Sequence, residues 1–168
     1  MLIAFDIDGT LADLSHRLGL IRNDLGIKDW DGFFTRVRGD KPIPEMVELC
    51  NTFLKEDTTE TEVIFVSGRN EVCREDTIEW LHNYTLAQLH THEEEVTKGF
   101  VDYIQRPLLY MRAEGDRRPD YLVKQDILVE IEHDYGQKPD IVFDDRQQTV
   151  DMWREHGIRC CQVAKGDF

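Results

Sequence analysis

The apolar positions of the chain come in short unbroken runs, separated by stretches with helical spacing. Leu2 to Ile7 is such a run, closing on carboxylates and a glycine, and it predicts a buried strand. "VIFVSGR" (63–69), "LLYM" (108–111), "DIVFDD" (140–145) and "IRCCQVA" (158–164) predict four more. Between them the period changes. From about Pro44, the residues Met46, Val47, Cys50, Phe53 and Leu54 share one helix face, and the proline suits a first turn. Asn70 is placed to cap a helix carrying Val72, Cys73, Trp80, Leu81 and Tyr84 on its apolar side. Another helix starts near Asp120, the expected cap, with Val123, Ile127, Leu128 and Ile131 as its apolar face. The last carries Val150 and Trp153 and is stopped by Gly157. Strands alternating with helices predict an α/β fold built on a parallel sheet of about five strands.

Two stretches break this rhythm. Residues 11–42 hold Trp30, Phe33 and Phe34 among many charges, then "KPIP". They read as irregular, an inserted loop or small cap near 12–42 with partial helix. Residues 85–106 read as a second loop-rich excursion, with "EEE" at 93–95. No internal repeat interrupts the chain, and its 168 residues suit a single domain, 1–168, with one full core.

In parallel sheets, ligands bind beyond the carboxyl ends of the strands. Asp6 and Asp8, Ser67 and Arg69, Arg112, and Asp144 and Asp145 all fall at ends of that kind. Asp6 offers a carboxylate nucleophile or a metal ligand, and Asp8 can protonate a leaving group and then activate water. A lone aspartate there would read as a turn cap. The apolar strand, the D-x-D spacing and the trailing Gly-Thr favour chemistry. The Ser67 hydroxyl and the backbone N–H groups around Gly68 can hold a phosphate oxygen, or merely cap a helix. Lys124 sits one turn into a helix, the wrong end for the macrodipole. It either faces solvent or neutralises anions brought together at a site. Asp144 and Asp145 end a strand as candidate Mg²⁺ ligands, with Asp145 also the expected cap of the following helix. His90 and His92 beside Glu93 to Glu95 lack metal-ligand spacing and read as a solvated loop.

A net charge of −14 argues against wrapping a long nucleic-acid backbone. It is compatible with gripping one phosphate group in a locally basic pocket, and Arg17, Arg69, Arg112 and Arg117 are expected to form one. Cys50, Cys73, Cys160 and Cys161 form no C-x-x-C pair and read as reduced core residues of a cytoplasmic protein. No signal peptide, membrane span or P-loop is expected.

"FDIDGT", "VSGR", Lys124 and "FDD" resemble, in order, the four motifs of the haloacid dehalogenase-like phosphohydrolases. "FDDRQQTVDMWREHGIRCCQVAKGDF", with "GDRRPDYLVKQDIL", is similar to the 3′-phosphatase domain of phage-type polynucleotide kinase-phosphatases. The resemblance implies a Rossmann-like core with helices on both faces, a small cap, Mg²⁺ and an aspartyl-phosphate intermediate. It makes Asp6 the nucleophile, Asp8 the general acid/base, and Lys124 the charge stabiliser. Ser67 and Gly68 would bind phosphate, Arg69 would close the site, Arg17 would touch the phosphate, and Asp120 would be a further required acid. Asp6, Asp144 and a backbone oxygen of Asp8 would hold the metal, supported by Asp145. The substrate implied is a 3′-phosphorylated nucleic-acid end or nucleotide, with a separate kinase or ligase as partner. A nucleotidase or small-phosphoester phosphatase is the alternative. A receiver-like phosphorylation switch would need an acceptor aspartate where this chain has Ser67.

Overall fold

The apolar runs become the strands of one sheet. The computed structural model describes residues 1–22, 26–55, 61–89 and 108–166. Strand β1 (Leu2–Asp6) is followed by a small insertion holding β2 (Ala12–Asp13), α1 (Ser15–Leu18), α2 (Trp30–Phe34) and β3 (Lys41–Pro42). The core continues with α3 (Pro44–Lys55), β4 (Glu62–Asn70), α4 (Arg74–Tyr84), β5 (Leu109–Arg112), α5 (Asp120–Tyr135), β6 (Ile141–Arg146), α6 (Gln147–Glu155) and β7 (Arg159–Gly166). Among the described residues the main sheet has five parallel strands in the order β5-β4-β1-β6-β7.

β1 lies in the middle because every residue in it is buried, as a strand covered on both faces requires. Its side chains alternate. Ile3 and Phe5 pack with residues of α3 and α4, while Leu2 and Ala4 pack with residues of α5 and α6. Phe5 stacks on its β6 register partner Phe143 at 4.6 Å between ring centroids. Burying side chains of this size contributes about 1.5–3 kcal/mol each. Val47 and Cys50 of α3, and Val123, Ile127, Leu128 and Ile131 of α5, fill the two layers as their spacing predicts.

The described residues of 11–42 hold more regular structure than the sequence suggests. β2 and β3 pair antiparallel and close it into a loop with one root. Asp29 caps α2 by accepting the Gly32 N–H at 2.8 Å. The indole N–H of Trp80 in α4 donates to the buried Asp40 carbonyl at 2.8 Å. That bond ties the returning end of the insertion to the core, where a lost partner would leave a buried polar group unsatisfied.

Several local expectations change. Asn70 caps the short 3₁₀ turn Glu71–Cys73 rather than α4, so Val72 turns outward at 65% exposure and Tyr84 is also exposed. Asp120 is the first residue of α5, and its cap position is Pro119, so the Asp120 carboxylate is released for tertiary ion pairs. Asp144, not Asp145, accepts the Arg146 N–H at the start of α6. Cys161 is exposed, whereas the other three cysteines are buried. Of 85–106, residues 85–89 are described, and His90, His92 and Glu93 to Glu95 lie outside the described residues. Among the described residues no helix is long and apolar enough to cross a membrane.

Candidate active site

From β1 the chain goes out to β4 and β5 on one side, and only later to β6 and β7 on the other. The connections after β1 and β6 therefore diverge, opening a crevice at the carboxyl ends of these two strands. Asp6 ends β1, and Asp144 and Asp145 lie near the end of β6, so they meet there. One oxygen from each of the three falls within 4.8 Å of the others.

Lys124 reaches the same point from α5 and is 1% exposed, so it serves this cluster and not solvent. Its Nζ donates to Asp6 Oδ1 at 2.7 Å and Asp144 Oδ2 at 2.8 Å, and lies 3.3 Å from Asp120 Oδ2. Burial alone would discharge the ammonium, but Asp120, Asp144 and Asp6 outweigh it and hold Lys124 protonated. Burial pushes the Asp6 carboxyl well up, opposed by Lys124 and reinforced by Asp144, Asp145 and Asp120. Burial and then Asp144 push Asp145 up to about 7.

These shifts describe an excess of buried negative charge over positive. Asp145 Oδ1 is buried with no hydrogen-bond partner among the described residues. Its carboxylate is hemmed in by Gly9, at φ +87, and Gly166, where any added Cβ would collide with it. An all-oxygen donor set with an orphaned carboxylate oxygen fits a hard divalent cation such as Mg²⁺. The oxygens that could hold one belong to Asp6, Asp144 and Asp145. The Asp8 side chain is engaged elsewhere, which leaves its backbone as the one route by which it could join.

Asp8 belongs to a second, charge-balanced cluster. It accepts from Arg17 at 2.8 Å and from Arg69 at 2.9 and 2.7 Å. Both guanidiniums also donate to Asp40, Arg17 at 2.8 and 2.7 Å and Arg69 at 2.6 Å. Burial would raise Asp8, yet Arg69 and Arg17 outweigh it and bring its carboxyl down to about 2. Arg17 and Arg69 are fully buried, and Arg17 lies 4.1 Å above the Phe33 ring. The expected pocket built on these two arginines is therefore not the one that forms. Both pair with Asp8 and Asp40 and neither lines the opening, while Arg17 Nη1 is buried with no hydrogen-bond partner among the described residues. Asp40, with His16 on its Oδ1 at 2.9 Å, lies in "GDKPIP", where no period or motif marks it.

The opening is a cavity of about 690 Å³. Asp6, Asp8, Lys124 and Asp120 face it, and Arg112, Arg117, Arg118 and Arg146 border it together with Glu114 and Asp116. Trp30, Phe33 and Phe34 of the insertion, with Lys28 and Val72, supply an aromatic and apolar border. Gly68 reaches the cavity, and a Cβ there would collide with Asp120. Its carbonyl accepts from Arg112 Nε at 2.8 Å, and Arg112 also donates to Asp120 at 3.1 Å. Ser67 is fully buried just behind, accepting the Arg69 N–H at 3.2 Å. The arrangement juxtaposes a buried carboxylate, an ammonium shared by two carboxylates, a second carboxylate held by arginines, and a set of oxygens that fits a cation. Such a set can transfer a phosphoryl group to a carboxylate.

The whole chain, residues 1–168, matches the model of a family described as "Polynucleotide kinase PNKP phosphatase domain". Two solved structures are similar over 99% of this chain, each at 27% identity and TM-score 0.69. They are described as "Structure of the Pnkp1/Rnl/Hen1 RNA repair complex" and "Structure of Pnkp1/Rnl/Hen1 complex". The present chain spans 43% of the first protein's length and 47% of the second's.

Proposed function

Since the chain belongs to the family of polynucleotide kinase PNKP phosphatase domains, which are phosphoric monoester hydrolases, we propose that it removes the 3′-terminal phosphate of a nucleic-acid end, with Mg²⁺, through an aspartyl-phosphate on Asp6. The observation that carries this reading is Lys124 bridging Asp6 and Asp144 at 2.7 and 2.8 Å, at the sheet's switch point and open to a partly basic cavity.

In this mechanism an Asp6 oxygen attacks phosphorus, and the bond from phosphorus to the 3′-oxygen breaks. Asp8, having taken up a proton from solvent as the anionic substrate binds, gives it to that oxygen. Water then attacks the aspartyl-phosphate, Asp8 takes the water's proton, and inorganic phosphate leaves. Asp8 is ionised at rest, held near 2 by Arg69 and Arg17 against its burial. A dianionic phosphate arriving beside it raises its proton affinity, the direction the acid step needs. Lys124 stays charged and offsets the repulsion between Asp6 and the incoming anion. Mg²⁺ held by Asp6, Asp144 and Asp145 would supply further neutralisation of phosphate charge. Arg17 and Arg69 act through Asp8, and Gly68 near the end of β4 faces the phosphate with Ser67 behind it.

A repair setting, with a separate kinase or ligase as partner, is supported by the RNA repair complex in which a similar protein is described. A nucleotidase acting on free nucleotides is the second reading, favoured by the net charge of −14.

The test is a Mg²⁺-supported assay on 3′-phosphorylated DNA and RNA oligomers, 3′-mononucleotides and 5′-mononucleotides, with folded Asp6→Asn protein as control. Release of phosphate from 3′ ends, weakly dependent on oligomer length and absent in Asp6→Asn, is the expected result. Activity confined to 5′-phosphates selects the nucleotidase. Turnover retained by Asp6→Asn ends the covalent mechanism.

A further inference from the structure

Trp30 is large, apolar and 45% exposed, and it borders the same cavity as Asp6, Asp8 and Lys124. It is also braced. Phe34 stacks on it at 5.9 Å and 22°, and Phe33 meets it edge-on at 5.7 Å and 83°. The core of the insertion therefore fixes an indole that remains half open to the cavity. Phe33 in turn carries the Arg17 guanidinium, 4.1 Å from its ring centroid, and Arg17 holds Asp8 at 2.8 Å. One ring and one guanidinium thus separate Trp30 from the catalytic carboxylate.

Resting on the 3′-phosphatase reading above, we infer that Trp30 is the platform on which the base of the terminal nucleotide stacks. A planar ring system is the ligand an open, rigid indole recognises best, because stacking needs no hydrogen-bond code. The other border of the cavity sets Arg112, Arg117, Arg118 and Arg146 among Glu114, Asp116 and Asp120, and so offers guanidiniums to the sugar-phosphate side of a nucleotide. Lys28 lies 5.6 Å from the Trp30 ring centroid and supplies positive charge on the aromatic side as well. Its flexible stem can yield to a base while its ammonium stays near the preceding phosphate. Stacking of this kind makes the enzyme indifferent to base identity but not to the presence of a base.

The experiment compares kcat/KM on two 3′-phosphorylated oligomers, one ending in a normal nucleotide and one ending in an abasic residue. The quantity read is the ratio of the two. Stacking contributes about 1–3 kcal/mol per base, so Trp30→Ala should reduce the preference for the base-bearing end by about 5- to 150-fold. Trp30→Phe should keep most of it. A second readout is independent of turnover. The chain has three tryptophans, and Trp80 and Trp153 are buried. A nucleoside 3′-phosphate binding to Asp6→Asn protein should therefore quench emission belonging to Trp30, and Asp6→Asn/Trp30→Phe should show none of that quenching. Unchanged Trp80 and Trp153 emission, with an unchanged thermal transition, verifies that the variants are folded. Hydrolysis with an unaltered ratio in Trp30→Ala overturns the platform alone. If the unmodified chain hydrolyses neither oligomer, the phosphatase reading falls and the platform with it.

Discussion

Asp40→Asn is the substitution that probes the least visible part of the site. Asp8, Asp40, Arg17 and Arg69 form a set of two carboxylates and two guanidiniums, formally neutral, with the His16 ring at its edge on Asp40. Asp40 is 1% exposed, and Arg17 and Arg69 are fully buried, so water screens little of their interaction. The amide keeps one acceptor oxygen but removes the charge, leaving the set at +1. Breaking one member of a buried ion network costs about 3–5 kcal/mol, and the retained acceptor places this change near the lower end, about 3 kcal/mol. For a chain of this size that corresponds to a fall in Tm of about 6–12 °C. Catalysis should suffer in a specific way. Asp8 would be left as the sole carboxylate of the set, its proton affinity lowered further, and its acid step made harder. The kcat for a nucleotide 3′-phosphate should therefore drop more than that for an aryl phosphate, whose leaving group needs no proton. Thermal melts at pH 7 and parallel kinetics on the two substrates check both halves. A Tm within about 2 °C of the unmodified protein, with kcat changed by the same factor on both substrates, would refute the reasoning.

Asp8→Asn should lower kcat by about 10²–10⁴-fold on a nucleotide 3′-ester but less on an aryl phosphate; equal losses would assign Asp8 a purely structural role. Gly68→Ala drives a methyl into the space of Asp120, which pairs with Lys124 and Arg112, and should cost about 10²-fold in kcat/KM with little change in far-UV circular dichroism. Chelator-treated protein should lose stability as pH rises from about 4 to about 7. Folded Asp145 keeps its proton up to about 7, raised by burial and Asp144, whereas the unfolded chain releases it near the ordinary 3.8. Tm against pH should show this downward slope, flattened in Asp145→Asn and offset by added Mg²⁺; an upward slope over that window would contradict the assignment.

The strand ends were readable because an apolar run stopping at a carboxylate is a local signal. Asp6, Asp144 and Asp145 needed only the rule that parallel strands deliver their carboxyl ends to one edge. Lys124 was ambiguous alone, since helix position says nothing about the anions that a distant strand brings to it. Asp40 was invisible because neither its neighbours nor its spacing differ from those of a surface turn. Arg17 and Arg69 misled for a related reason. Arginine is ordinarily exposed, so burial has to be inferred from two partners far away in sequence. Val72 turned outward because a 3₁₀ turn intervened before α4 and shifted the helical phase. Trp30 read as one aromatic among charges, and only the fold shows that Phe33 and Phe34 hold it at the cavity.

The central place of β1 also governs how the protein can be made. Ile3 pairs with Val63 on one side and Ile141 on the other, so one of its edges stays bare until β6 is available. An apolar strand of this kind is a template for misassembly while it waits. Asp145 is further enclosed by Gly166 at the far end of β7, so the acidic pocket is incomplete until β7 has docked. A chain shortened before β7 would retain Asp6, Lys124 and most of the sheet, yet lack the enclosure around Asp145 and expose a sticky edge. Activity and solubility should therefore be acquired together, late in folding, as one event.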